Sequence, residues 1–230
     1  DESGFAESLG DTAITGICGS GIIEVIGEMY LSGIIDTDGV VRGELATKSN
    51  RIVADDRTFS YLFFEKDETK LFVTQNDVRA IQLAKAALRA GIDLLVEHAG
   101  SPVVHDIRLA GAFGAHIDPV YAMVLGLVPD CPVAGVRSVG NAAGAGAVQS
   151  LLSRKLRYEM EVTVRGVTKI ETATEPRFQQ LFVEAMAFPH KTALTPNLAT
   201  VIDLPVRAEN SSDSSGRSGR RRRSTGGVAD

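Results

Sequence analysis

The stretch that decides the fold is LAGAFGAHIDP, residues 109–119. An apolar run breaks into Gly111, Ala112, Phe113 and Gly114, then turns polar at His116 and Asp118. A strand ending in two glycines three apart lets backbone approach a ligand closely, or else makes a tight turn. Two other junctions share the pattern: GICGSG at residues 16–21 and GNAAGAG at residues 140–146. Each sits where a strand-like run passes into a helix-like one. Such a junction aims unpaired N–H groups and the positive end of a helix at one spot, which suits phosphate. None is followed by the Gly-Lys-Ser/Thr of a P-loop, and none has the acidic residue that completes a dinucleotide fingerprint. Singly, each reads more simply as a turn. Three in one chain leave turn and ligand contact evenly balanced.

Working outward, TAITGI (residues 12–17) is a short β-prone run. IIEVIGEMYLSG then sets Ile22, Ile23, Val25, Ile26, Met29 and Tyr30 at helical spacing, stopped by Gly33. Residues 36–39 form a turn that lacks the glutamate a calcium loop needs. Residues 43–72, with FSYLFFE and KLFVT, predict an extended β meander. The clearest element opens at Thr74, which stands in capping-box spacing with Asp77. Val78, Ile81, Ala84, Leu88, Ile92, Leu95 and Val96 keep one apolar face, interrupted at Gly91 and ended at Gly100. VVHDIRLAG predicts a strand, DPVYAMVLGLV a helix and VAGVRSVG a strand. NAAGAGAVQSLLSRKL predicts a helix from Asn141, and EPRFQQLFVEAMAFP a last helix ended by Pro189. Helices interleaved with strands make the body α/β.

The chain has 230 residues, 44% hydrophobic and 23% charged, ordinary for a globular protein. The apolar stretches fall short of the ~18 residues a membrane span needs. No signal pattern opens the chain, and without an initiating Met it reads as a fragment or processed product. Residues 1–206 read as the folded body and residues 207–230 as a disordered Ser/Gly/Arg-rich tail with little to bury. Six Arg against three acids make the tail +3, so the net charge of −5 leaves the body at −8. An acidic body argues against a nucleic-acid groove. Cys18 and Cys131, with four scattered histidines, build neither an iron–sulfur nor a structural zinc site, and reduced thiols fit a cytoplasmic protein. Cys18 has no activating neighbour in sequence and reads as a small buried hydrophobe. His116 reads as a polar loop residue. Gln82 and Lys85 lie on the less apolar side of the long helix and read as surface residues unless a ligand covers them.

Five segments occur in order: GICGSGIIEVIGEMYLSGIID, TQNDVRAIQLAKAALRAGIDLL, IRLAGAFGAHIDPVYAMVLGLVPDCP, VGNAAGAGAVQSLL and FQQLFVEAMAFP. Together, over residues 14–190, they resemble the C-terminal domain of the reductive activators of corrinoid proteins. The resemblance implies an actin-like ATPase (ribonuclease H-like) subdomain, a mixed sheet flanked by helices with a small β meander inserted. It implies ATP with Mg as cofactor and ATP-dependent return of Co(II) to Co(I) on a corrinoid protein of a methyltransferase system. The electron would come from a [2Fe–2S] domain. LAGAFG becomes the adenosine loop, with Gly111, Ala112 and Gly114 under the nucleotide and Phe113 as a packing residue. The long helix would cross the nucleotide, bringing Gln82 and Lys85 toward it, and the GNAAGAG helix would abut the other subdomain. The departures matter: the cysteine-rich ferredoxin segment is absent, and so is the superfamily's Asp-Gly-Thr phosphate loop. The chain thus reads as the second half of an ATPase domain, carrying an adenosine half-site, no identifiable catalytic residues and no metal ligands. Two other readings remain. One is a non-catalytic module that forms a homodimer and docks the corrinoid protein. The other is an ATP-driven activator of a radical dehydratase, disfavoured because those hold a cluster by cysteines between subunits.

Overall fold

The computed structural model describes residues 14–111 and 113–205. Helix α1 (Gly19–Leu31) buries Ile23, Ile26, Met29 and Tyr30, four side chains from the predicted apolar face. Burying each is worth roughly 1.5–3 kcal/mol. Before it, residues 14–18 carry no strand, so the described part of the predicted TAITGI run is a coil leading into the helix. Thr12 and Ala13 lie outside the described residues, as does the predicted tail. After the helix, Asp36 Oδ1 accepts from the N–H groups of Asp38 and Val40, closing the predicted turn.

The meander is shorter than predicted. Residues 43–47 form a 3-10 turn (Gly43–Thr47), followed by β1 (Ile52–Asp55), β2 (Thr58–Lys66) and β3 (Thr69–Val73). These three pair antiparallel in the order β1-β2-β3. Asp56 and Asp67 take positive φ at the two hairpins, a conformation that aspartate tolerates better than most residues.

Helix α2 (Gln75–His98) opens on the complete capping box, Thr74 and Asp77 each satisfying the other's backbone N–H. It runs straight through Gly91, where a break was predicted, and ends at Ala99 with Gly100 at positive φ. Strands β4 (Ile107–Ala110) and β5 (Val136–Gly140) pair parallel and form a second sheet, so parallel and antiparallel pairings sit in separate sheets. Between them α3 (Pro119–Val124) is capped by Asp118 and stops well before Val128. Gly126 at φ +72 makes that stop, and a Cβ there would lie 1.8 Å from the Pro189 carbonyl oxygen. Tyr121 on α3 donates a short hydrogen bond to Glu28 on α1, and that carboxylate pushes the phenol up to about 12. Gly27 lets the Tyr121 ring close on α1, since a Cβ would stand 2.6 Å from it.

The small-residue helix α4 (Ala142–Leu152) ends at Ser153, whose extended backbone (φ −136, ψ 117) separates it from α5 (Arg154–Arg165). The predicted single helix is therefore two, with Ser153 capping the second through Leu156 N–H. Helix α6 (Phe178–Glu184) packs Leu181 against Ala90 and Leu94 of α2. It finishes several residues before Pro189, which follows Phe188 through a cis peptide bond. The main core gathers α1, α2, α3, β5 and Phe188, with the rings of Tyr30 and Phe188 5.8 Å apart.

Candidate functional site

Parallel strands present their C-terminal ends to ligands in open α/β folds, and the glycine junctions meet at that end here. Gly111 N–H donates to Gly140 O at 2.8 Å, joining the GAFG loop to the GNAAGAG junction. Both glycines have positive φ, +100 and +66, and a Cβ on either would meet nothing within 4 Å. They are glycines for conformation, and the space above them is open. Gly114 is tight, since a Cβ there would stand 3.0 Å from the Ala110 carbonyl oxygen, so the loop folds back on the strand it left. Hydrogen bonds from Ala115 N to Gly111 O and from His116 N to Phe113 O close that turn. His116 is exposed. Ala112 lies outside the described residues.

The third junction joins through Phe113. A Cβ on Gly19, the first residue of α1, would stand 2.6 Å from Phe113 Cε2. The ring therefore rests on the first turn of α1. It is packed there along one edge and is still 53% exposed. Asn141 Oδ1 accepts from Gly144 N–H and caps α4, while the first-turn donor of α1 at Gly21 meets Cys18 Sγ at 3.4 Å. Cys18 is exposed, which corrects the buried reading. The Ser20 hydroxyl and then the Gly21 N–H hold its thiol below the ordinary value. The cysteine sits at a helix N-terminus, a setting invisible without knowing where α1 begins.

Gln82 and Lys85 are not on the surface. The side chains are buried, Lys85 completely, because residues 186–190 cross this face of α2. Gln82 Nε2 donates to Asp38 O (2.9 Å) and Met186 O (3.1 Å), leaving Oε1 buried without a partner. Lys85 Nζ donates to the carbonyls of Ala187 and Pro189 and stands 4.9 Å from the Phe188 ring centroid. Burial, with Arg89 adding to it, lowers this ammonium to about 7. One turn on, Arg89 pairs with Asp93 at 2.8 Å and donates to Val128 O. Burial pushes the Asp93 carboxyl up, but His190 and Arg89 more than offset it, so it lies below its usual range. His190 Nδ1 accepts from the N–H groups of Thr192 and Ala193, and its Nε2 faces Asp93 at 3.6 Å. The stripe Gln82–Lys85–Arg89–Asp93 is a brace for the chain that crosses it.

Among the described residues, no group of three His, Cys, Asp or Glu could hold a metal ion. A separate cleft of about 340 Å³ opens beside the meander, lined by Arg42, Arg57, Phe59 and Gln75 among others, and none of the glycine junctions borders it.

The antiparallel meander, parallel pair and flanking helices, with glycine loops gathered at the strand ends, make an α/β domain, and the family and structure it matches make that domain actin-like. The family model for the C-terminal domain of RACo, the ASKHA domain, matches residues 3–199. The chain belongs to this RACo C-terminal ASKHA-domain family. It is 38% identical over 186 residues to the corrinoid activation enzyme RamQ of Eubacterium limosum, covering 76% of this chain and 31% of that protein. It is also similar to the solved structure of a reductive activator for corrinoid, iron–sulfur protein. There the TM-score is 0.68 and the identity 29%, over 76% of this chain and 28% of that one. The chain thus spans about a third of the length of the curated relative it matches.

Proposed function

We propose that this chain is the adenosine-holding part of an ATP-dependent activator that returns a corrinoid protein from Co(II) to Co(I). The observation that carries this is the meeting of three glycine junctions at the C-terminal end of a parallel strand pair. Gly111, Ala112, Phe113 and Gly114 form the floor for adenosine. Open space at Gly111 and Gly140 is where ligand comes close to main chain, and this fits an adenine nucleotide. Bound ATP, with Mg held by residues outside this chain, supplies phosphate binding energy. This chain's part is to seat the nucleoside and pass the change to its neighbours. Gln82 and Lys85 serve the site by bracing residues 186–190 and the Asp38 turn.

The electron comes from a [2Fe–2S] domain on another segment, and ATP shifts how tightly the activator grips the corrinoid protein of a methyltransferase system. A ligand shifts such an equilibrium only by its differential affinity for the two states. None of the helices in the described residues is long and apolar enough to cross a membrane. Helix α4 buries none of its residues, and Leu151 and Leu152 are 78% and 82% exposed, which favours its packing against the other half of the ATPase domain.

The test exchanges the corresponding domain of RamQ for this chain and follows the corrinoid spectrum. ATP should accelerate Co(II) reduction, and Gly111→Arg should abolish the acceleration by filling the open space and by straining the loop at φ +100. ATP-independent reduction, or an unchanged Gly111→Arg chimera, contradicts the proposal. The exposed face of α4 and α5 also favours a second reading, a non-catalytic module that pairs with a second copy. That reading expects Gly111→Arg to leave corrinoid-protein binding intact and the chain to gain nothing from ATP.

A further inference from the structure

We infer that Phe113 is the platform on which the nucleotide base stacks, and that Gly19 is glycine so that the ring can lie on the first turn of α1. This rests on the nucleotide reading above and assigns the base contact within it. A phenyl ring inside a loop of small residues has every reason to be buried, as Phe188 is, yet Phe113 is 53% exposed. One edge is fixed, because Cε2 and Cδ2 lie 2.6 and 3.1 Å from where a Gly19 Cβ would stand. About half of the residue nevertheless stays uncovered, two positions from the loop glycine at φ +100 whose Cβ position is clear. A ring anchored along one edge and half exposed can offer its π-system to a base, and such stacking tolerates any base because each has a π-face. Phe113 therefore supplies affinity for the base while leaving base identity to other groups. It also links the two junctions: a base pressed on the ring presses the ring onto α1, beside Cys18.

The experiment uses the 230-residue chain with adenosine and ATP, observed through the adenine H2 and H8 resonances and by titration. In the wild type these protons should move upfield on binding, the signature of a ring stacked on the base. Phe113→Ala should remove the upfield shift and weaken adenosine and ATP by the same factor, about tenfold or more. Phe113→Tyr should retain both. Gly19→Ala displaces the ring, so it should weaken binding in the wild type but add no loss in a Phe113→Ala background. Melting temperature separates this from a structural role, since an exposed ring contributes little to stability and Phe113→Ala should melt with the wild type. Wild-type binding with Phe113→Ala unchanged overturns the inference and leaves the nucleotide reading standing. Failure of the wild-type chain to bind adenosine or ATP at all overturns both.

Discussion

Lys85 shows what one residue contributes. Its ammonium is buried completely and lowered to about 7, first by burial and then by Arg89. In the unfolded chain the same group titrates near 10.4. Below about pH 7 both states are protonated, and the cost of the buried charge is fully present. Between about 7 and 10.4 the unfolded chain binds the extra proton, so stability rises with pH, by at most ~1.4 kcal/mol per pH unit. Thermal unfolding from pH 7 to 9 should show that rise in the wild type and lose it in Lys85→Met. An equal slope in both proteins would remove Lys85 from the account. The sequence showed that Gln82 and Lys85 occupy a polar stripe. It did not show what covers them, because the cover is residues 186–190, about a hundred positions away. Spacing of three and four residues continues the stripe to Arg89 and Asp93, four polar groups too regular for a solvated face alone, and this was the available signal.

At the scale of elements, periodicity and capping rules identified α2 down to its Thr74–Asp77 box, because that information is local. Boundaries set by tertiary contact were not legible. Gly126 ends α3 by turning to φ +72, and Pro189 against its Cβ position leaves room for no other residue. Ser153 divides α4 from α5 through a backbone excursion that one serine in a helical pattern does not announce. Gly91 was read as an interruption, yet a long helix with an apolar face absorbs a glycine at about 1 kcal/mol. The contrast between α1 and α4 is testable. Ile26→Ala in the buried face of α1 should cost about 2–5 kcal/mol in urea unfolding. A Leu151→Ser, Leu152→Ser double variant should stay within about 1 kcal/mol, because neither leucine is covered in this chain. A large loss from the α4 pair would mean that the helix packs on this chain's own core.

Across the whole molecule, the α/β class and the family were legible because five segments kept their order, and the matched family model spans them. No single junction distinguished a ligand loop from a turn. The proposed ligand reading rests on their convergence: a hydrogen bond from Gly111 to Gly140 and the Phe113 ring on Gly19 bring together positions up to 121 residues apart. No periodicity encodes such a distance: the parallel pairing of β4 with β5 joins Gly111 to Gly140, and the Phe113 ring brings in Gly19. The central claim is that this convergence holds an adenine nucleotide. The most direct measurement is the change in backbone amide resonances of the chain on adding ATP. Saturable shifts are expected at Gly19–Gly21, Gly111–Gly114 and Gly140–Gly144, with the Arg57 and Phe59 cleft unmoved. No saturable shift, or shifts centred on that cleft, would contradict it.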